Sequence, residues 1–187
     1  MSDGYSINLF RSFLATLVCA GAVTRVGAAD SPEINACGLL ASEQISKVVD
    51  MPVNDGVRKD AGMQRDGSYS STCVWVIGDD KDFLENPEAP LGGRRFVILN
   101  AMQWPKGSGL ARTFLEAFHA AAMHGKIPSQ PRPRSFGDEA LWWGDGLAVR
   151  LGDISFGLSV FVPGHLQSHP GEFEERLAPS ILKALGD

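Results

Sequence analysis

The stretch "EALWWGDGLAVRLGDISFGLSVFV", residues 139–162, constrains the fold more than any other part of the chain. It holds three runs of aliphatic, aromatic and β-branched residues, separated by Gly144-Asp145-Gly146 and by Gly152-Asp153. Turns this short join strands that lie side by side and run in opposite directions. In the last run Ile154, Phe156, Leu158, Val160 and Val162 alternate with Ser155, Gly157 and Ser159. A period of two predicts one packed face and one face open to solvent.

Two earlier runs, "TCVWVIG" and "RRFVILNAMQW", have the same strand composition. Cys73, Trp75 and Ile77 fall on one face of the first run and Val74 and Val76 on the other, so both faces are apolar and the strand is expected to be central. Three helices are predicted around these strands. The first spans "LLASEQISKVVD", with Ser42 as cap and Leu40, Ile45, Val48 and Val49 on its apolar side. The second spans "GLARTFLEAFHAAAMHGK", with Leu110, Phe114, Ala117, Phe118 and Ala121 as its buried stripe, Ser108 or Gly109 at its start and Gly125 at its end. The third spans "GEFEERLAPSILKALG", where Phe173, Leu177, Ile181 and Leu185 turn inward and Pro179 forces a kink or a break. "MPVNDGVRKDAGMQRDGSYSS" and "DDKDFLENPEAPLGG" read as connectors, and the prolines of "IPSQPRPRSF" predict an extended surface segment. This order predicts an α+β domain whose largely antiparallel sheet has about five strands covered by helices.

The N-terminus reads differently. Residues 12–23 form an apolar run behind Arg11, shorter than the about 20 residues that span a bilayer. Small residues follow, and Val26-Gly27-Ala28 and Gly27-Ala28-Ala29 both suit signal-peptidase cleavage. Residues 1–29 are therefore read as a signal peptide and 30–187 as a single domain that is periplasmic or secreted and carries no membrane span. Cys19 is lost with the signal peptide. Leu17 and Val18 before it do not provide the small residue that lipoprotein processing needs. Of the three cysteines, Cys37 and Cys73 remain, and in an oxidising compartment they are expected to form a structural disulfide. The net charge of −5 becomes more negative once Arg11 and Arg25 are removed with Asp3, which argues against nucleic acid as a partner.

Taken together, "ACGLLASEQISKVVDMPV", "STCVW" and "SFGDEALWW...LAVRLGDISFGLSV" resemble secreted and lipoprotein-type bacterial domains of unknown function. Those domains begin with a Cys-x-Leu-Leu helix, continue with a Cys-x-Trp strand and carry a Gly-Asp-Glu-Ala turn before a hairpin. The resemblance covers residues 36–185 and implies the fold, the compartment and a bridge between the two cysteines. It brings no catalytic residues, and this chain departs from it in lacking a lipobox at Cys19.

Candidate chemistry is sparse. His119 and His124 are five apart and face different sides of a helix, while His165 and His169 precede Pro170 in a segment as readily loop as helix. Neither pair is read as a metal site, although His165 and His169 would converge if their segment were helical. Gly-x-Ser-x-Gly is absent, and "KGSGLA" lacks the ending of a phosphate loop. Asp138 and Glu139 are adjacent, so on a strand they point to opposite faces, and turn formation by Gly137 and Asp138 is the simpler role. Trp142 and Trp143 must likewise face opposite ways, one of them beneath a helix or toward a groove. No catalytic residue, cofactor or metal is assigned. The expectation is a non-catalytic binding or accessory protein of the bacterial envelope. Its partner is an envelope protein or cell-wall component, met through Trp142 or Trp143 with Arg94, Arg95, Arg132 or Arg134. A small envelope hydrolase, with its site between the sheet and the Pro/Arg segment, and a periplasmic metal-binding protein using the histidines are the alternatives. The sequence leaves the oligomeric state open.

Overall fold

Gly152, left-handed at φ 58°, and Asp153 turn the chain so that Leu151 pairs with Ile154. They join β7 (Leu147–Leu151) to β8 (Ile154–Phe161), as residues 143–146 join β6 (Glu139–Trp142) to β7. The meander is thus present in the computed structural model, which describes residues 33–78, 94–127, 130–163 and 170–186. The two earlier runs form β3 (Tyr69–Val76) and β4 (Phe96–Gln103), antiparallel to each other along their whole length. β4 pairs in turn with β8, from Phe96 opposite Phe161 to Gln103 opposite Ile154.

The sheet has eight strands rather than about five. The additional ones are β1 (Val57–Arg58), β2 (Gly62–Met63) and β5 (Arg132–Arg134). Their order is β1-β3-β4-β8-β7-β6-β5, with β2 also paired to β3. Two-residue strands carry no alternation that a sequence could display. Arg-Pro-Arg carries the opposite signal, because Pro133 removes a ladder donor, and this is tolerated at the sheet edge where β5 lies. The Pro/Arg segment is therefore partly an edge strand on β6 and not only an extended connector.

One face of the sheet presents Cys73, Trp75, Val97, Leu99, Trp142, Val149, Phe156 and Leu158 to a helical layer. That layer is α1 (Ala36–Leu39), α2 (Ser42–Val49) and α4 (Glu172–Leu185), which contribute Ala36, Ile45, Val49, Phe173, Leu177 and Ile181. The first predicted helix is split, because Leu40 and Ala41 are extended and Leu40 points into the core. Ser42 starts α2 and does not cap it; the Gln44 side chain accepts the Ala41 N–H at 2.9 Å instead. Pro179 lies on the exposed side of α4, which runs as one helix without a break. The Cys37–Cys73 disulfide, with α-carbons 5.0 Å apart, fastens α1 to β3.

On the second face α3 (Leu110–Met123) starts after Gly109 and packs over β7 and β8. Its buried residues are Ala111, Leu115 and Ala121, while Leu110, Phe114, Ala117 and Phe118 are only half-buried. The inward stripe is thus rotated from the expected one. Leu115 enters the cluster of Leu141, Trp143 and Ala148, and Phe114 and Phe118 flank it. The small side of β8 also departs from expectation, for Ser155 and Ser159 are buried. Trp104 donates its indole N–H to the Ser155 hydroxyl at 2.8 Å, and the Trp143 ring lies over Gly157. Serine and glycine at these positions make room for two indoles and do not face solvent.

Candidate functional site

The residues singled out by sequence do not form one surface. Trp142 is 1 % exposed, in the core beneath α4, and Trp143 is 7 % exposed and stacks on Phe118 with ring centroids 4.9 Å apart. They occupy opposite faces, as adjacent strand residues must, and both are covered. Neither ring is available at the surface, so the contact surface expected around them is not carried by the tryptophans. Arg94 and Arg95 precede β4, with Arg95 Nη1 3.4 Å from the Met51 sulfur. Arg132 is exposed on β5, and Arg134 is ion-paired with Glu175 of α4. Between β4 and β5 lie β8, β7 and β6, four strand spacings or about 19 Å, so the two arginine pairs do not converge.

Three polar clusters serve the fold. The Asp60 carboxylate accepts the Ser71 hydroxyl at 2.7 Å and the Thr72 N–H at 3.1 Å, and it pairs with Arg58. Burial alone would raise its pKa, but these partners outweigh burial and hold the carboxyl below its ordinary range. Ser71 in turn accepts the Ala36 N–H at 2.9 Å, which secures α1 a second time. In the Gly-Asp-Glu-Ala turn, Asp138 accepts the Gly152 N–H at 2.7 Å and Arg150 at 2.9 Å, and so ties the turn to the β7–β8 hairpin. The third cluster is Glu174. Paired residues of β7 begin at Leu147 opposite Leu158, so the Val160 N–H has no strand partner on that side and donates to the Glu174 carboxyl at 2.8 Å. Burial pushes the Glu174 pKa up to about 7.

The second face offers a different arrangement. Alternate residues of β3 and β4 bring Ser70, Thr72, Ile98, Asn100 and Met102 together beside the strip of β8 that Trp104 and α3 cover. Thr72, Ile98, Asn100 and Met102 are half-buried. The Asn100 amide nitrogen donates to Thr72 Oγ1 at 2.8 Å and Ser70 Oγ at 3.2 Å, which fixes the carboxamide. Along one side runs an aromatic row: Trp104 to Phe114 at 5.9 Å, Phe114 to Phe118 at 5.5 Å, then Phe118 to Trp143. This polar floor with an aromatic wall is the candidate site.

A cleft of about 370 Å³ lies between α1 and the ends of β4, β8 and α4, lined by Ile34, Leu39, Ile154 and Leu185 with Glu33 and Gln103. Its walls are mostly side chains that also pack on the core, and its polar groups do not converge on a reactive arrangement. Among the described residues no group of three or more His, Cys, Asp or Glu is placed to hold a metal ion. His119 and His124 are exposed on α3 and just beyond it, and His165 and His169 lie outside the described residues, as do residues 79–93 of the long loop and the predicted signal peptide. Sequence reasoning passed over Ser70, Thr72, Asn100 and Trp104. The available signal was the interruption of an apolar alternation at Asn100, which acquires meaning only once Thr72 is known to lie opposite it. The chain matches no known protein family, no curated protein and no solved structure.

Proposed function

We propose that the chain is an exported, non-catalytic binding domain of the bacterial envelope that holds its partner through the half-buried band around Asn100. The observation that carries this reading is the band itself: an oriented amide and hydroxyls beside a row of aromatic rings, the mixture of few placed polar groups and apolar walls that ligand sites use. The Cys37–Cys73 bond supports the export part, since such bonds persist in oxidising compartments. Among the described residues no helix is long and apolar enough to cross a membrane. The Pro/Arg segment, beside which a hydrolase site was expected as the alternative, pairs with β6 as an edge strand and ties Arg134 to Glu175 of α4. The partner is a protein or cell-wall component of the envelope.

Capture of envelope components by the immobilised protein tests the reading. Asn100→Lys places a charge on the floor and should abolish capture while the thermal melt stays near that of the wild type. Capture retained by a folded Asn100→Lys protein removes the band from consideration.

A further inference from the structure

We propose that His119 and Met123, on the outer side of α3, together bind one soft monovalent metal ion, copper(I) or its redox-inert analogue silver(I). The two residues are four apart in one uninterrupted helix, so they stand one above the other with Cβ atoms about 6 Å apart. Both are exposed, whereas α3 turns Ala111, Leu115 and Ala121 toward the sheet. Met123 is 74 % exposed, and among the described residues Met63 is the other large apolar side chain so placed. A thioether in that position adds nothing to the core and keeps its sulfur lone pairs open. The imidazole and the thioether both reach well past their Cβ atoms, so a ring nitrogen and the sulfur can meet one ion between them.

The donor pair selects the ion. Thioether sulfur is a soft ligand suited to copper(I), and imidazole binds copper as well. Zinc(II) takes thiolate, imidazole and carboxylate in larger sets, and calcium and magnesium take oxygen. Copper(I) and silver(I) form near-linear complexes with two donors. The lack, among the described residues, of three clustered His, Cys, Asp or Glu therefore counts against a divalent ion and not against this one. His124 supplies an internal contrast. It lies about 140° around the helix axis from His119, and its Nδ1 donates to the Ala120 carbonyl at 2.7 Å. A histidine nearby in sequence is thus kept apart from the pair.

The test titrates the full chain with silver nitrate in chloride-free buffer, followed by calorimetry and native mass spectrometry. A Cys19→Ser background leaves no free thiol to compete, since Cys37 and Cys73 are bridged. One ion should bind ahead of any others, and copper(I) supplied without oxygen should compete with it. His119→Gln and Met123→Leu should each weaken that first event about tenfold or more. His124→Gln should leave it unchanged. All three side chains are exposed, so thermal melts without metal should match the parent protein. A first silver affinity that is unchanged in either His119→Gln or Met123→Leu overturns the paired site. Zinc(II) is titrated in parallel: if it binds as tightly as silver and depends on His119 but not on Met123, the assignment to a soft monovalent ion falls.

Discussion

Glu174 is the one ionisable side chain fully buried among the described residues, and its position sets a pH dependence. Its folded pKa of about 7 stands above the ordinary 4.5 because burial disfavours the charge. The acid form is therefore the one that the fold prefers. Stability from this group is fully present below about pH 4.5 and is lost as pH rises through about 7, a loss of roughly 3 kcal/mol at most. Glu174→Gln stays neutral and keeps an oxygen for the Val160 N–H, so urea midpoints at pH 5 and pH 8 should differ for the wild type and agree more closely for the variant. Equal pH slopes in the two proteins would show that Glu174 does not titrate in this range. The sequence does not announce this residue. Glu172, Glu174 and Glu175 all open α4, where acidic residues commonly face solvent and favour the helix dipole. Which of the three turns inward follows from where β7 begins, at Leu147 opposite Leu158, a fact of the sheet and not of the helix.

Elements were legible where their signals are local. The β7–β8 hairpin is given by Gly152-Asp153, and the two faces of β3 by strict alternation through Cys73, Trp75 and Ile77. β1, β2 and β5 were not, since pairing with a longer neighbour creates them. The facing of α3 was misjudged for a related reason. Periodicity finds an apolar side, but the sheet it lands on selects Leu115 for the core and leaves Phe114 and Phe118 at the flank. α1 is the most dependent element, a single turn that has little stability alone. It is held by the disulfide, by the Ala36 N–H on Ser71 and by burial of Ala36. The bond closes a loop with a sequence separation of 36, for which the chain-entropy argument gives about 4 kcal/mol. Reduction should lower the urea midpoint accordingly, and hydrogen exchange should speed up first at residues 36–39 while β4 and β8 stay protected. Uniform loss of protection through the sheet would mean that the bond supports the whole domain and not α1 in particular.

At the scale of the molecule the two faces of the sheet are unequal. Among the described residues α1, α2 and α4 cover one, whereas on the other α3 packs over β7 and β8, Val74, Val76 and Phe96 are buried, and Thr72, Ile98, Asn100 and Met102 are half-buried. Both edges are unattractive to a further strand: β1 and β2 are two residues each, and β5 carries Pro133. The proposed recognition therefore belongs to a face and not to an edge. The band proposed as the binding face was not legible, because Ser70, Thr72 and Asn100 become neighbours only through the β3–β4 register. The disulfide was more legible, since the even pair of Cys37 and Cys73 and the 12–29 pattern behind the proposed export are both linear features. They make a joint prediction. Expressed whole in a bacterium, the chain should be recovered from the periplasm or medium with an intact mass that begins near Ala29 or Asp30 and with no titratable thiol. Without residues 1–29 it should accumulate in the reducing cytosol with Cys37 and Cys73 as thiols, and oxidation after purification should restore about 4 kcal/mol of stability. Recovery of the uncut full chain in the cytosol, with free thiols and unchanged stability on oxidation, would defeat the export assignment and the disulfide's role together.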